Sequence, residues 1–276
     1  MGGFSLSCIT EAAPEWGLKN QLSSSTDQII QQEKDFKMKF IKTLKSFGIA
    51  LGITLGTTAS AQEFMGIAYD FVATNPAGVV AALDKYMASP TGRSNPGYPI
   101  LNQYIVNGTD AATHNIVVVF PSTEAMDQAN LANALSADWA VFLSEMGDAT
   151  TSAGELLYQS TGVSVGSQDA VTSSNPVSQW VTMSVAEPSE YVEAWLELAE
   201  DYQGDDVFSQ LIAIGADGRQ GATHNLVITA NNMTGLMTDP LNESRGWSEF
   251  IEDVGDIRSI ISRNIVMQLK SYAPSM

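Results

Sequence analysis

The chain reads as an α+β protein in which one βαββαβ unit occurs twice. Three observations carry that reading. Ala112-Thr113-His114-Asn115 returns as Ala222-Thr223-His224-Asn225 at an offset of 110 residues, and the pair contains both histidines of the chain. Trp139-Ala140-Val141-Phe142-Leu143 with Gly147-Asp148 returns as Trp247-Ser248-Glu249-Phe250-Ile251 with Gly255-Asp256 at an offset of 108. The apolar runs around these motifs also fall in the same order in both copies. Offsets that agree so closely keep one register across most of a domain, which is the mark of an internal duplication.

In the first copy, Phe64 to Val72 has the apolar content of a strand. Asn75-Pro76 then caps a helix whose Val79, Val80, Leu83, Tyr86 and Met87 recur at helical spacing. Tyr98 to Val106 and His114 to Phe120 are two apolar runs around Asn107-Gly108, a hairpin with a loop longer than two residues. A helix with a break is expected from Thr123 to Met146, and Glu155 to Val165 supplies the last strand. Residues 166–178, rich in Ser, Gly, Thr and Asn, read as a linker, so the units are expected at 62–165 and 179–276.

The second copy repeats the order. Gln179 to Val185 is extended, Ser189 to Tyr202 is a helix with Val192, Trp195, Leu196 and Ala199 on one face, and Val207 to Ala216 turns at Asp217-Gly218 into His224 to Ala230. Asn242 to Ile261 reads as the second helix and Asn264 to Tyr272 as the last strand. Gly147 and Gly255 fall where a left-handed helix C-cap is expected.

The N-terminus has the pattern of an export signal. Met38 to Lys45 is basic, Phe47 to Thr58 is apolar, and Ala59-Ser60-Ala61 places small residues at the cleavage positions. The reading is a signal peptide over 38–61, translation starting at Met38 with residues 1–37 as upstream sequence, and a mature chain from about Gln62. The expected location is periplasmic or extracellular, without a stable membrane anchor, because a 12-residue apolar run is shorter than the ~20 residues a spanning helix needs. The net charge of −18 repels phosphate backbones and anionic lipid, which argues against nucleic acid and membrane surfaces as partners. The only cysteine, Cys8, precedes the cleavage site, so the exported part has neither a disulfide nor a thiolate nucleophile.

A βαββαβ unit forms an antiparallel sheet with helices on one face and leaves the other face to be covered. Two copies can cover each other. The order of elements, the duplication and the apolar strands over 64–275 resemble the dimeric α/β-barrel superfamily, in which two ferredoxin-like units pack sheet to sheet about a pseudo-twofold axis; here they are fused in tandem. The resemblance implies a range of activities: cofactor-independent monooxygenases, haem-degrading enzymes, cyclases and muconolactone isomerases, with ligands held between helices and sheet. Neither copy carries a catalytic motif of these groups. The haem-degrading branch combines Asn, Trp and His, but here the histidine opens a strand after a hairpin, a departure from that branch.

Candidate site residues follow from the repeats. His114, Ile116, Val118 and Phe120 share one strand face, as do His224, Leu226, Ile228 and Ala230, and the apolar character of this face assigns it to the helix side. Each histidine is read either as a pocket group able to titrate near neutrality or, preferably, as an anchor for the strand start. Trp139, Phe142, Leu143 and Met146 recur at i, i+3, i+4 and i+7, as do Trp247, Phe250, Ile251 and Val254, which makes each set one helix face packed on the sheet. His114, Trp139, Phe142, His224, Trp247 and Phe250 are therefore the ligand-pocket candidates. One histidine per copy and no usable cysteine suggest neither a metal nor a cofactor, and the acidic clusters Glu200-Asp201, Asp205-Asp206 and Glu252-Asp253 read as solvated surface. The expected role is binding of a small apolar molecule between helices and sheet by a monomer or homodimer. The alternative is a monooxygenase-, isomerase- or cyclase-like enzyme with a histidine acid/base.

Overall fold

The computed structural model describes residues 64–166, 168–200, 207–217, 221–238 and 246–273. The signal peptide and upstream extension lie outside these residues, as do the turn glycine Gly218 and the acidic pairs at 201 and 205–206.

The first half runs β1 (Met65–Ala73), α1 (Pro76–Ala88), α2 (Pro90–Ser94), β2 (Tyr98–Val106), β3 (His114–Phe120), α3 (Thr123–Ala134), α4 (Ala137–Ala149) and β4 (Thr150–Val165). The second runs β5 (Val177–Val185), α5 (Pro188–Glu200), β6 (Val207–Asp217), β7 (His224–Ala230), α6 (Met233–Met237), α7 (Trp247–Asp253) and β8 (Arg258–Ser271). Local chemistry sets several boundaries. Asn75 accepts from Gly78 N with Pro76 in the first turn of α1. The break between α3 and α4 falls at Ser136, whose hydroxyl accepts from Trp139 N and starts a new helix.

Each half is an antiparallel sheet, ordered β4-β1-β3-β2 in the first and β8-β5-β7-β6 in the second. The sheets face each other and are also hydrogen-bonded edge to edge, β2 to β8 and β4 to β6, so the eight strands close into one barrel. Closure leaves no strand edge unpaired. Ala68, Val117, Leu156 and Tyr158 of the first half meet Ile212 and Val227 of the second inside the barrel. The helices lie outside, where Phe71, Leu83, Ile116 and Phe142 form one core and Met183, Trp195, Leu226 and Phe250 the other. Tyr158 takes up its interior place against Gly66, where a Cβ would stand 2.5 Å from the phenol oxygen and 2.6 Å from Val118 O.

The duplication is visible rung by rung. His114 pairs with Phe71 and Gln103, and His224 with Met183 and Ala213, in the corresponding ladders.

Three sequence expectations are corrected. Gly147 lies inside α4, which runs to Ala149 and passes straight into β4, and neither Gly147 nor Gly255 has positive φ. The helix expected to reach Ile261 ends at Asp253, because Arg258, Ser259, Ile260 and Ser262 pair with β5. β4 starts at Thr150 rather than Glu155, since Thr150, Thr151 and Ser152 continue the ladder to β1. In each case a distant strand supplies the hydrogen bonds, and local periodicity does not contain that information.

Candidate functional site

Both histidines open the strand after the hairpin and face the helices, as expected from their alternation with Ile116 and Leu226, members of the two outer cores. The bonds that fix the strand start belong to the preceding threonine. Thr113 N donates to Phe71 O at 3.0 Å, and Thr113 Oγ1 accepts from Ala73 N at 2.9 Å. Thr223 N donates to Met183 O at 3.0 Å, and Thr223 Oγ1 accepts from Val185 N at 2.8 Å. Each imidazole Nδ1 then lies 2.9 Å from the threonine Oγ1. When the hydroxyl donates, the histidine is the Nε2–H tautomer. His114 also stacks on Phe71, with ring centroids 6.0 Å apart at 11°. Burial pushes both imidazoles below their ordinary pKa, which favours the neutral form near neutrality.

The aromatic candidates collect on the same helix-facing sides. Tyr86, Trp139 and Phe142 have centroids 5.0–5.3 Å apart, and Phe71, the stacking partner of His114, belongs to the same core. In the second half Trp247, Tyr191 and Trp195 surround Phe250 at 5.7–6.0 Å. The structure thus brings His114, Trp139 and Phe142 to one helix–sheet cluster and Trp247 and Phe250 to the other, with His224 on the rung opposite Met183 of that second core. Trp139 and Trp247 are half-buried at the borders of these clusters. Tyr86 is held by Asn133 Oδ1, to which its hydroxyl donates at 2.6 Å, and by Asn95 Nδ2 at 3.2 Å.

A second group was not singled out from sequence. Inside the barrel, Asn102 Nδ2 donates to Asn115 Oδ1 at 2.9 Å, Asn115 Nδ2 to Tyr104 Oη at 3.0 Å, and Tyr104 Oη to Asp70 Oδ1 at 2.7 Å. Asp70 and Tyr104 border a cavity shared with Trp180, Thr182, Asn225 and Asn264, with ≈ 10 Å³ open to a water's centre, which is room for one water. The signal was present as polar residues at alternate positions of apolar strands, Asp70 in β1, Asn102 and Tyr104 in β2, and Asn115 in β3. Their convergence needed the register. Among the described residues no three His, Cys, Asp or Glu side chains gather as a metal set, and no helix is long and apolar enough to cross a membrane.

A scan of family models gives no match, and neither does a comparison with curated proteins. Solved structures do match. A protein from Fusobacterium nucleatum subsp. nucleatum, provisionally described as a monooxygenase, aligns with a TM-score of 0.52 and 12% identity over 76% of this chain and 94% of its own. An anthrone oxidase-like protein aligns with a TM-score of 0.50 and 10% identity over 78% and 94%. At such identities the likeness is one of fold. The chain shares the dimeric α/β-barrel fold of these structures, with the ferredoxin-like unit duplicated within one chain.

Proposed function

We propose that the protein binds a small, largely apolar molecule between the helices and the sheet, with the histidine of each half as a polar contact. The observation that carries this reading is the stacking of His114 on Phe71 in the core that holds Tyr86, Trp139 and Phe142, with His224 on the matching rung of the second half opposite Met183. Among the described residues no carboxylate hydrogen-bonds either imidazole, so these groups suit hydrogen bonding to a ligand better than proton abstraction. The half-buried Trp139 and Trp247 would report an occupant. Titration of the purified protein with planar apolar compounds should give saturable quenching of tryptophan fluorescence that Trp139→Phe or Trp247→Phe reduces. Native mass spectrometry should show a retained small molecule, and absence of both signals refutes the reading.

A second reading is a cofactor-independent oxygenase with His114 or His224 as acid/base, and the fold neighbours support it. Oxygen uptake in the presence of anthrone that disappears in His114→Ala or His224→Ala would replace binding by turnover. We further propose a tandem fusion with units at 62–165 and 179–276, exported to the periplasm or beyond. N-terminal sequencing of the native protein should begin near Gln62, and a start upstream of Phe47 refutes export by this signal.

A further inference from the structure

Three hydrogen-bond donors meet around Phe250 in the second half, and among the described residues the only acceptor near them is the Tyr191 phenol oxygen, which the Arg258 guanidinium approaches without reaching full hydrogen-bond geometry. Tyr191 and Trp195, one turn apart on α5, are 0% and 2% exposed. Tyr191 Oη and Trp195 Nε1 are both buried without a hydrogen-bond partner. Arg258, the first residue of β8, is half-buried, with its guanidinium carbon 5.1 Å from the Phe250 centroid and 5.9 Å from that of Tyr191. Among the described residues no carboxylate forms an ion pair with it. The frame itself does not demand these groups. In the first half the matching places on α1 are Val79 and Leu83, and Thr150 stands opposite Ala73 where Arg258 stands opposite Val185. Buried donors without acceptors cost stability, so their presence in one copy calls for a partner that supplies oxygen.

We propose that the helix–sheet layer of the second half binds an aromatic acid anion, its carboxylate received by Arg258 and the Tyr191 and Trp195 donors and its ring set against Phe250 and Trp247. The inference rests on the binding reading above and narrows it to one half and one ligand class. A guanidinium over an aromatic ring matches a planar anion in both charge and shape. Arg258 and Trp247, both half-buried, would meet the ligand first; Tyr191 and Trp195 lie deeper and would take the oxygen only once the ring has seated.

Calorimetric titration of the full chain with 2-naphthoate and with 2-methylnaphthalene tests this. The anion should bind about tenfold more tightly or better, and Arg258→Gln should remove that preference for 2-naphthoate over 2-methylnaphthalene. Tyr191→Phe and Trp195→Phe should weaken 2-naphthoate several-fold. Tyr191→Phe, which keeps the ring, should leave the Tm of the ligand-free protein unchanged or raise it, because it deletes a buried hydroxyl that makes no full hydrogen bond, whereas Trp195→Phe also leaves a cavity and is read by affinity alone. A purely structural role for the Tyr191 hydroxyl would instead lower Tm. Equal affinities for the two compounds, or a fall in Tm in Tyr191→Phe, overturn this inference and leave apolar binding standing; binding of neither compound overturns both.

Discussion

The two halves share a frame and differ in how the polar groups on its two sides are partnered. In the first, Asp70, Asn102, Tyr104 and Asn115 turn into the barrel, while the helix side carries Val79 and Leu83. In the second, the rungs matching Asp70, Asn102 and Tyr104 hold Thr182, Ile212 and Ile214, while the helix side carries Tyr191 and Trp195. What stays constant is the Thr-His pair at the head of β3 and β7, with the same hydrogen bonds to within 0.1 Å. The repeated motif therefore marks what both copies keep, and the differences between copies mark where they have diverged.

That contrast can be broken most sharply at matching asparagines. Asn115 is bonded to both Asn102 and Tyr104, so Asn115→Leu should cost about 3 kcal/mol by orphaning a buried amide and weakening the network. Asn225 occupies the matching rung but its Oδ1 has no protein partner, so Asn225→Leu should change stability by no more than about 1 kcal/mol. Urea unfolding of both variants measures the difference, and equal losses would mean that the inner faces are alike after all.

The shared motif should respond symmetrically. His114→Ala and His224→Ala should each cost about 1–3 kcal/mol, with His114 the larger because it also stacks on Phe71. The sign of the pH dependence follows from burial. The folded pKa of each lies below the unfolded value of 6.5, so the stabilisation is complete above about pH 6.5 and is lost as pH falls toward the folded values. Urea midpoints between pH 7.5 and 5.5 should fall in the native protein and flatten in the double variant; an unchanged slope would assign the effect to other groups.

Smaller effects sharpen the comparison on the helix side. Tyr86→Phe should cost about 1 kcal/mol through its bonds to Asn133 and Asn95, whereas the corresponding Leu198 has no hydroxyl to lose. Lys85→Ala, which removes an exposed pair with Glu145, should stay within about 0.5 kcal/mol in thermal unfolding.

The outer faces were legible in the sequence because helix and strand periods mark them directly. Trp139, Phe142 and Met146, Trp247, Phe250 and Val254, and the helix-facing side of His114 and His224 follow from spacing alone. Leu143 and Ile251, assigned to the same helix faces by the same spacing, are instead exposed, because the sheet covers only the central stripe of each helix. The hairpin strands Tyr98–Val106 and His114–Phe120 were equally plain, since a turn and two apolar runs bound them. Arg258 was hidden inside an expected helix, and its true place depends on pairing with Val185, which lies more than 70 residues earlier. Asp70, Tyr104 and Asn115 sit on three strands that meet only through register, so their chain of bonds has no one-dimensional signature. Both halves of the proposed chemistry, inner and outer, depend on such long-range meetings.

The sealing of β2 to β8 and of β4 to β6 means that the strands form a ring with no first member. By the pseudo-twofold relation, the path from Val165 to Val177 has a counterpart from the end of β8 at Ser271 to the start of β1 at Met65. A short peptide bridging those termini, with the chain reopened between Val165 and Val177, would read the same ring from its opposite side.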